Sequence, residues 1–228
     1  HMPLLHGADG AKLSKRHGAL GVDSYRDAGY LPETMRNYLL RLGWSHGDDE
    51  IISTEQAVAW FDLADVGRAA ARFDEARLDN LNGHYIRHAD DERLCRLVLD
   101  GLAIDTDGRL AEEAPDRLKR GMPGLKERAK TILELIENAR FYALLRPLEY
   151  DNKSQKLLNA DGCRVLADVR RGLEATSDWT TNHLEEHIRL CADEAQLKLG
   201  KVAQPLRAAL TGSTVSPGIF EVMEVLGR

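Results

Sequence analysis

The sequence predicts an all-α protein, and three observations predict it. Apolar residues recur at i, i+3 or i+4 and i+7 along most of the 228 residues. Aromatic residues make up 6% of the chain, and alternating β-branched runs that would mark half-buried strands are scarce. Turn signals rich in Gly, Pro and Asp punctuate the periodic segments at helix-length intervals. A chain of this length suits one large domain or two to three small ones and can bury a sizeable core.

The elements follow in order. A short helix is expected over 21–29, ending near Gly29. Pro32 opens a second in its first turn, where a missing N–H costs nothing, with Met35, Tyr38, Leu39 and Leu42 at helical spacing and Gly43 at its end. Ser53 or Thr54 caps a third carrying Ala57, Val58, Trp60 and Phe61. Phe73, Leu78, Leu81, Tyr85 and Ile86 build one apolar face of a fourth, which leaves Arg77 and Asn82 without an assigned role. Helices over 90–103 and 110–120 flank the Asp105-Thr106-Asp107-Gly108 turn. Gly121-Met122-Pro123-Gly124 then reads as a break before a long helix over about 125–145, with Leu125, Ala129, Ile132, Leu133, Ile136, Ala139 and Ala143 on one stripe.

Three further helices are expected near 153–159, 162–174 and 181–197. Thr180 or Thr181 can cap the last of these, or Asn182 can do so with Glu185 completing a capping box. His183 and His187 lie four apart on it, a spacing that can bind metal. No third ligand is suitably placed, so they read as solvent-exposed and no metal site is expected. Pro205 opens a helix that Gly212 closes, and Ser216-Pro217-Gly218 starts the last one.

Composition excludes several classes. Cys95, Cys163 and Cys191 lie far apart without C-x-x-C spacing, and read as reduced structural thiols. Nothing approaches 18 consecutive apolar residues, so no membrane span or membrane partner is expected. The net charge of −6 is unevenly spread. Residues 48–113 carry 17 acids against 7 bases, 117–146 carry 8 bases against 3 acids, and 198–228 carry 4 bases against 2 acids. Such polarity suits a protein that meets a polyanion on limited faces. An ordinary helical surface would show it too.

Three motifs carry chemistry. Lys12-Leu13-Ser14-Lys15-Arg16-His17-Gly18 crowds three fixed cations into a segment bounded by Gly10 and Gly18. Lysines three apart on flexible backbone could follow phosphate charge during a phosphoanhydride reaction, although a solvated basic loop reads the same way. With Asp9-Gly10-Ala11 before it and Ala19 after, this stretch resembles the second signature of class I aminoacyl-tRNA synthetases, in its glutamyl-tRNA synthetase spelling. Residues 73–87 resemble the family pattern F-D-x-x-K-L-x-x-L-N-x-x-Y-I, with Arg77 where lysine is more familiar. Residues 199–225, from Leu199-Gly200-Lys201 through Val225, resemble the end of bacterial glutamyl-tRNA synthetases.

The resemblance implies an all-α arrangement: a KMSKS-type loop segment over 1–20, a helical stem-contact domain over 21–95, and anticodon-binding subdomains over 96–147 and 148–228. It implies that Lys12 and Lys15 approach the ATP phosphates, with Leu13, Ser14 and Arg16 completing the nucleotide-binding loop. Arg207, Ser216, Pro217 and Ile219 are implied as anticodon contacts, and Arg128 as the reader of the third anticodon base, cytosine for glutamate and guanine for glutamine. Pairing of Arg128 with Glu127 or Glu134 on a solvated helix, or of Arg207 with Glu221, is the alternative.

The other half of a class I catalytic site is not in the sequence. None of the eight histidines falls in a His-x-Gly-His pattern, and the lysine loop begins at residue 12, with no room upstream for a βαβ unit of at least about 30 residues. His1-Met2 reads as a cloning scar. The expectation is therefore the C-terminal half of the synthetase: cytoplasmic, monomeric, binding glutamate tRNA and no DNA. It would be inactive alone, with ATP and Mg2+ required only by the parent enzyme. Helices in place of β-barrels separate it from glutaminyl-tRNA synthetase, and its length separates it from the short glutamyl-queuosine enzyme. A helical scaffold binding proteins through the acidic 48–113 stretch is the rival reading.

Overall fold

The structure, a computed structural model, describes residues 4–7, 9–13, 21–106, 108–174 and 176–228. These fold as 12 α-helices, with one strand pair of two residues each. The helical class holds. The chain forms two compact units, one of residues 1–90 with Lys126–Leu135 and one of Asp91–Leu125 with Ile136–Arg228.

In the first unit, β1 (Leu5–His6) pairs in parallel with β2 (Ala71–Arg72), in the register Leu5 to Ala71 and His6 to Arg72. Then come α1 (Val22–Asp27), α2 (Pro32–Arg41), α3 (Thr54–Trp60) and α4 (Glu75–His88). Pro32 sits in the first turn of α2, and Ser53 caps α3 in a full capping box with Gln56, as their chemistry dictates. The buried face of α2 is Thr34, Asn37 and Tyr38, not the expected stripe, and Leu39 is exposed. Polar residues turn inward because partners await them: Asn37 donates to the Glu50 carbonyl (3.0 Å) and accepts from the Ile52 N–H (3.2 Å), and α4 supplies the partner of Thr34. Asn82, fully buried on α4, accepts from the Leu31 N–H (2.9 Å) and the Thr34 hydroxyl (2.8 Å). It donates to the Gly29 carbonyl (3.2 Å) and to the Lys130 carbonyl (2.6 Å). Leu31, Tyr38, Leu78 and Ile86 surround this hub. Arg77, the other residue without a role, pairs with Glu50 at 3.2 Å. On α3, by contrast, no residue is buried, and Val58 is 79% exposed.

Beyond residue 90 run α5 (Asp91–Asp105), α6 (Ala114–Lys126), α7 (Ile132–Ala143), α8 (Asn152–Leu157), α9 (Ala160–Glu174), α10 (Thr181–Glu194), α11 (Leu199–Thr211) and α12 (Ile219–Leu226). The expected break at Gly121-Met122-Pro123-Gly124 does not occur: α6 runs through it, and the chain breaks at 127–131 instead. Packing explains the glycines. A Cβ on Gly121 would enter the Tyr142 ring, and one on Gly124 would lie 3.2 Å from the Pro217 Cβ. Of the expected stripe, Leu125, Ala129, Ile136, Ala139 and Ala143 are buried despite the break, and Leu133 is exposed.

Two further expectations are corrected. Pro205 lies inside α11, which starts six residues earlier, and its burial offsets the lost hydrogen bond. The capping box of Asn182 and Glu185 is absent: Glu185 pairs with Arg189, and the N-terminus of α10 is capped by Glu224, which accepts from the Thr181 N–H (2.5 Å) and hydroxyl. Gly212 does close α11, at φ 74°, where a side chain would be strained.

Candidate nucleic-acid interface

The C-terminal motif folds into one locked turn. Gly212 reverses the chain after α11, and the chain runs on through Ser216-Pro217-Gly218 into α12. Arg207, half-buried on α11, donates to the carbonyls of Ser216 (3.1 Å) and Pro217 (2.7 Å) and to the Ser216 hydroxyl. That hydroxyl in turn donates to the Pro217 carbonyl at 2.8 Å. A guanidinium holds several donors in one plane, so one side chain fixes two successive peptide units. Arg207, Ser216, Pro217 and Ile219 are thus brought together. The last three are buried, and Arg207 is directed at the main chain of the turn. What the turn leaves outward is Val215, Gly218 and Glu221, with the first N–H groups of α12 unpaired within the helix.

Arg128 belongs to the first unit and lies in the turn between α6 and α7, exposed. Neither Glu127 nor Glu134 pairs with it. Glu134 instead accepts from the Lys130 N–H at 2.7 Å and caps the start of α7. Among the described residues Arg128 has no hydrogen-bond or ion-pair partner. Its turn is fastened from behind, because Asn82 holds the Lys130 carbonyl and the Ile132 N–H donates to the Gly29 carbonyl at 2.9 Å.

Of the lysine loop, Lys12 and Leu13 are described. Lys12 bridges antiparallel to His6, and the Leu13 N–H donates to the Leu5 carbonyl at 2.8 Å, which leaves the Lys12 side chain exposed. Ser14, Lys15 and Arg16 lie outside the described residues. Lys12 fits a phosphate in charge and exposure. Among the described residues no three His, Cys, Asp or Glu side chains are grouped to hold a metal ion.

His187 is not solvent-exposed as expected: its Nε2 is buried without a partner, and a Cβ on Gly172 would lie 2.5 Å from it. Gly172 on α9 admits the ring. All three cysteines are free, Cys95 buried and Cys163 exposed. No helix of the described residues is long and apolar enough to cross a membrane.

Sequence reasoning missed a pocket of about 700 Å³ in the second unit, beside the Thr211–Val215 stretch. Arg109, Arg140, Tyr150 and Val215 are among its lining residues. They come from four separate stretches of chain, so no local pattern marks them.

Residues 93–228, which contain this arginine-fixed turn, match the family described as anticodon binding domain. The chain belongs to that family. Residues 1–80 match the class I tRNA synthetase (E and Q) catalytic domain family. The chain is 60% identical over 228 residues to glutamate–tRNA ligase 2 of Rhodospirillum centenum, covering all of this chain and 49% of that protein. It is 58% identical over 228 residues to glutamate–tRNA ligase 2 of Parvibaculum lavamentivorans, covering all of this chain and 46% of that protein. It thus spans about half the length of the curated relatives it matches. Among solved structures, a glutamate tRNA ligase from Elizabethkingia meningosepticum in complex with its amino acid superposes with a TM-score of 0.81 at 26% identity. That match covers all of this chain and 48% of that one.

Proposed function

We propose that this chain is the tRNA-binding part of a glutamate–tRNA ligase, which reads the anticodon of glutamate tRNA with residues 96–228 and supports the tRNA stem with residues 21–95. The observation that carries the reading is the turn Ser216–Ile219, locked by Arg207 within the stretch that matches the anticodon binding family. Arg207 acts by holding the turn in shape. Arg128, exposed and unpaired among the described residues, supplies a free guanidinium for the third anticodon base. In the whole ligase, which joins glutamate to tRNA at the expense of ATP, Lys12 and Lys15 meet the ATP phosphates, and Mg2+ accompanies the nucleotide. The subdomain limits at 95 and 147, a monomeric state and a cytoplasmic location belong to the same reading.

The test is binding of transcripts of the glutamate and glutamine tRNAs to the chain and to Arg128→Gln at one fixed salt concentration. The glutamate transcript should bind more tightly, and Arg128→Gln should narrow the ratio by about 1–3 kcal/mol, mainly by admitting the glutamine transcript. ATP–pyrophosphate exchange with glutamate should stay at background. Equal binding of both transcripts to the unmodified chain would reject the reading.

A further inference from the structure

The pocket of about 700 Å³ in the second unit has fixed walls and no part in the anticodon reading. Its size lies within the range of about 300–1,000 Å³ usual for small-molecule sites. One wall is the far end of α7, where the Ala111 N–H donates to the Ala143 carbonyl at 2.8 Å. The other is the 147–151 stretch, tied to the end of α11 by the Asp151 N–H, which donates to the Gly212 carbonyl at 3.0 Å. Gly212 permits this close approach, because a Cβ there would run into the Glu149 carbonyl.

The polar groups on the lining divide into engaged and unengaged ones. Arg140 pairs with Asp105 at 3.4 Å and with Glu137 at 3.8 Å, and Asp151 is occupied in capping α8. The Arg109 guanidinium, the Asn138 amide and the Glu149 carboxylate also line the pocket, and among the described residues none of the three has a hydrogen-bond or ion-pair partner. Tyr150, 38% exposed, adds an aromatic face.

Each unengaged group asks for a particular complement. A free guanidinium suits a phosphate. An amide presents a donor and an acceptor side by side, which matches the N6 amine and N7 of adenine but not the two acceptors, O6 and N7, of guanine. An aromatic ring stacks on a base, and a carboxylate accepts from ribose hydroxyls, as acidic residues do in dinucleotide sites. A free amino acid would engage only Arg109 and Glu149 and leave most of the volume empty. Four acidic side chains and two arginines line the pocket, so a long polyanion is repelled where a single phosphate on Arg109 is not.

We propose that this pocket binds a free adenine mononucleotide: Arg109 holds the phosphate, Asn138 reads the adenine edge, Tyr150 stacks on the base and Glu149 accepts from the ribose hydroxyls. The site is separate from the lysine loop, which belongs to the first unit. It stands whether or not the Ser216–Ile219 turn reads an anticodon.

The experiment is calorimetric titration of the full chain with AMP, GMP and adenosine. AMP should bind at one site per chain, about tenfold more tightly than GMP. Arg109→Ala, at an exposed position, should weaken AMP by about tenfold or more and leave adenosine unchanged, since only the phosphate contact is lost. Asn138→Ala should bring AMP and GMP level. Lys12→Ala should leave AMP binding intact. Absence of AMP binding overturns the inference, and so does binding that survives Arg109→Ala or disappears in Lys12→Ala, because the nucleotide then sits elsewhere. Displacement of bound AMP by a glutamate tRNA transcript also overturns it, since the pocket would then be a contact for RNA.

Discussion

Asn82→Ala should be among the most damaging single changes in the first unit. The side chain is fully buried and makes four hydrogen bonds, to Leu31, Thr34, Gly29 and Lys130. Truncation leaves the Leu31 N–H and the Lys130 carbonyl without partners, while the Gly29 carbonyl keeps the Ile132 N–H. Each buried orphan costs about 1–3 kcal/mol, and the Thr34 hydroxyl can turn elsewhere. Water entering the space of a lost amide recovers part of this, so the net cost should be roughly 3–4 kcal/mol. With a urea slope of about 2 kcal/mol/M the midpoint of this unit would fall by about 1.5–2 M. The two units need not unfold together, so the decisive assay is local: hydrogen exchange at the Leu31 amide, whose protection should collapse while that of Val222 on α12 persists. The consequence for function runs through Lys130, because the turn that presents Arg128 loses its rear fastening, and the glutamate-to-glutamine tRNA ratio should narrow as well. A stability loss below about 1 kcal/mol with Leu31 protection intact would refute the reasoning, since that is within reach of an ordinary surface change.

Gly121→Ala should destabilise the second unit by about 1–3 kcal/mol, because its Cβ enters the Tyr142 ring. Gly200→Ala, with nothing within 4 Å of the new methyl, should instead stabilise by roughly 0.5–1 kcal/mol. Urea midpoints of the two variants decide it, and a shift of the same sign in both would remove close packing as the reason for Gly121. Asp151 caps α8 by accepting from the Ser154 N–H at 2.6 Å, and this bond holds its carboxyl below the usual carboxylate value. A folded-state value below the unfolded one gives stability that is present above the ordinary value near 4 and is lost as pH falls through the lower folded one. Asp151→Asn should therefore flatten the acid limb of the stability profile below about pH 4, measured by urea midpoints from pH 2.5 to 6. An unchanged limb would reject that cap as its source.

Local signals made most of the helices legible. Pro32 at the start of α2, a cap at Ser53 or Thr54 and Gly212 at the end of α11 are decisions taken within four residues, and the structure chooses Ser53. Errors occur where the deciding contact is remote. Gly121 and Gly124 read as breakers on propensity, but their partners Tyr142 and Pro217 are 21 and 93 residues further on. The partner that caps α10 is Glu224, 43 residues from Thr181, and no reading of Thr180-Thr181-Asn182 alone could find it. Asn82 is the same case: a mid-helix amide has no local signature for three segments converging on it.

The site divides along the same line. Its members were nameable from the motif at 199–225, but their division of labour was not, because it depends on which way each side chain points. Arg207 is not a bare outward cation but is committed to the carbonyls of Ser216 and Pro217. Arg140 is likewise engaged with Asp105 and Glu137, Arg120 with Asp116 and Arg77 with Glu50. In a chain of net charge −6, arginines so engaged contribute little to attraction of a polyanion at a distance. Arg109 and Arg128 lack such partners among the described residues, as do the exposed Lys119, Lys198 and Lys201, and these cations remain available to phosphate. The logarithmic fall of affinity with salt scales with the number of phosphates so neutralised. Shape-held contacts to base edges, such as those proposed for the Arg207-locked turn, do not depend on counterion release. Discrimination between anticodons should therefore survive salt concentrations at which total affinity has already dropped, and the two quantities have to be measured separately to be understood.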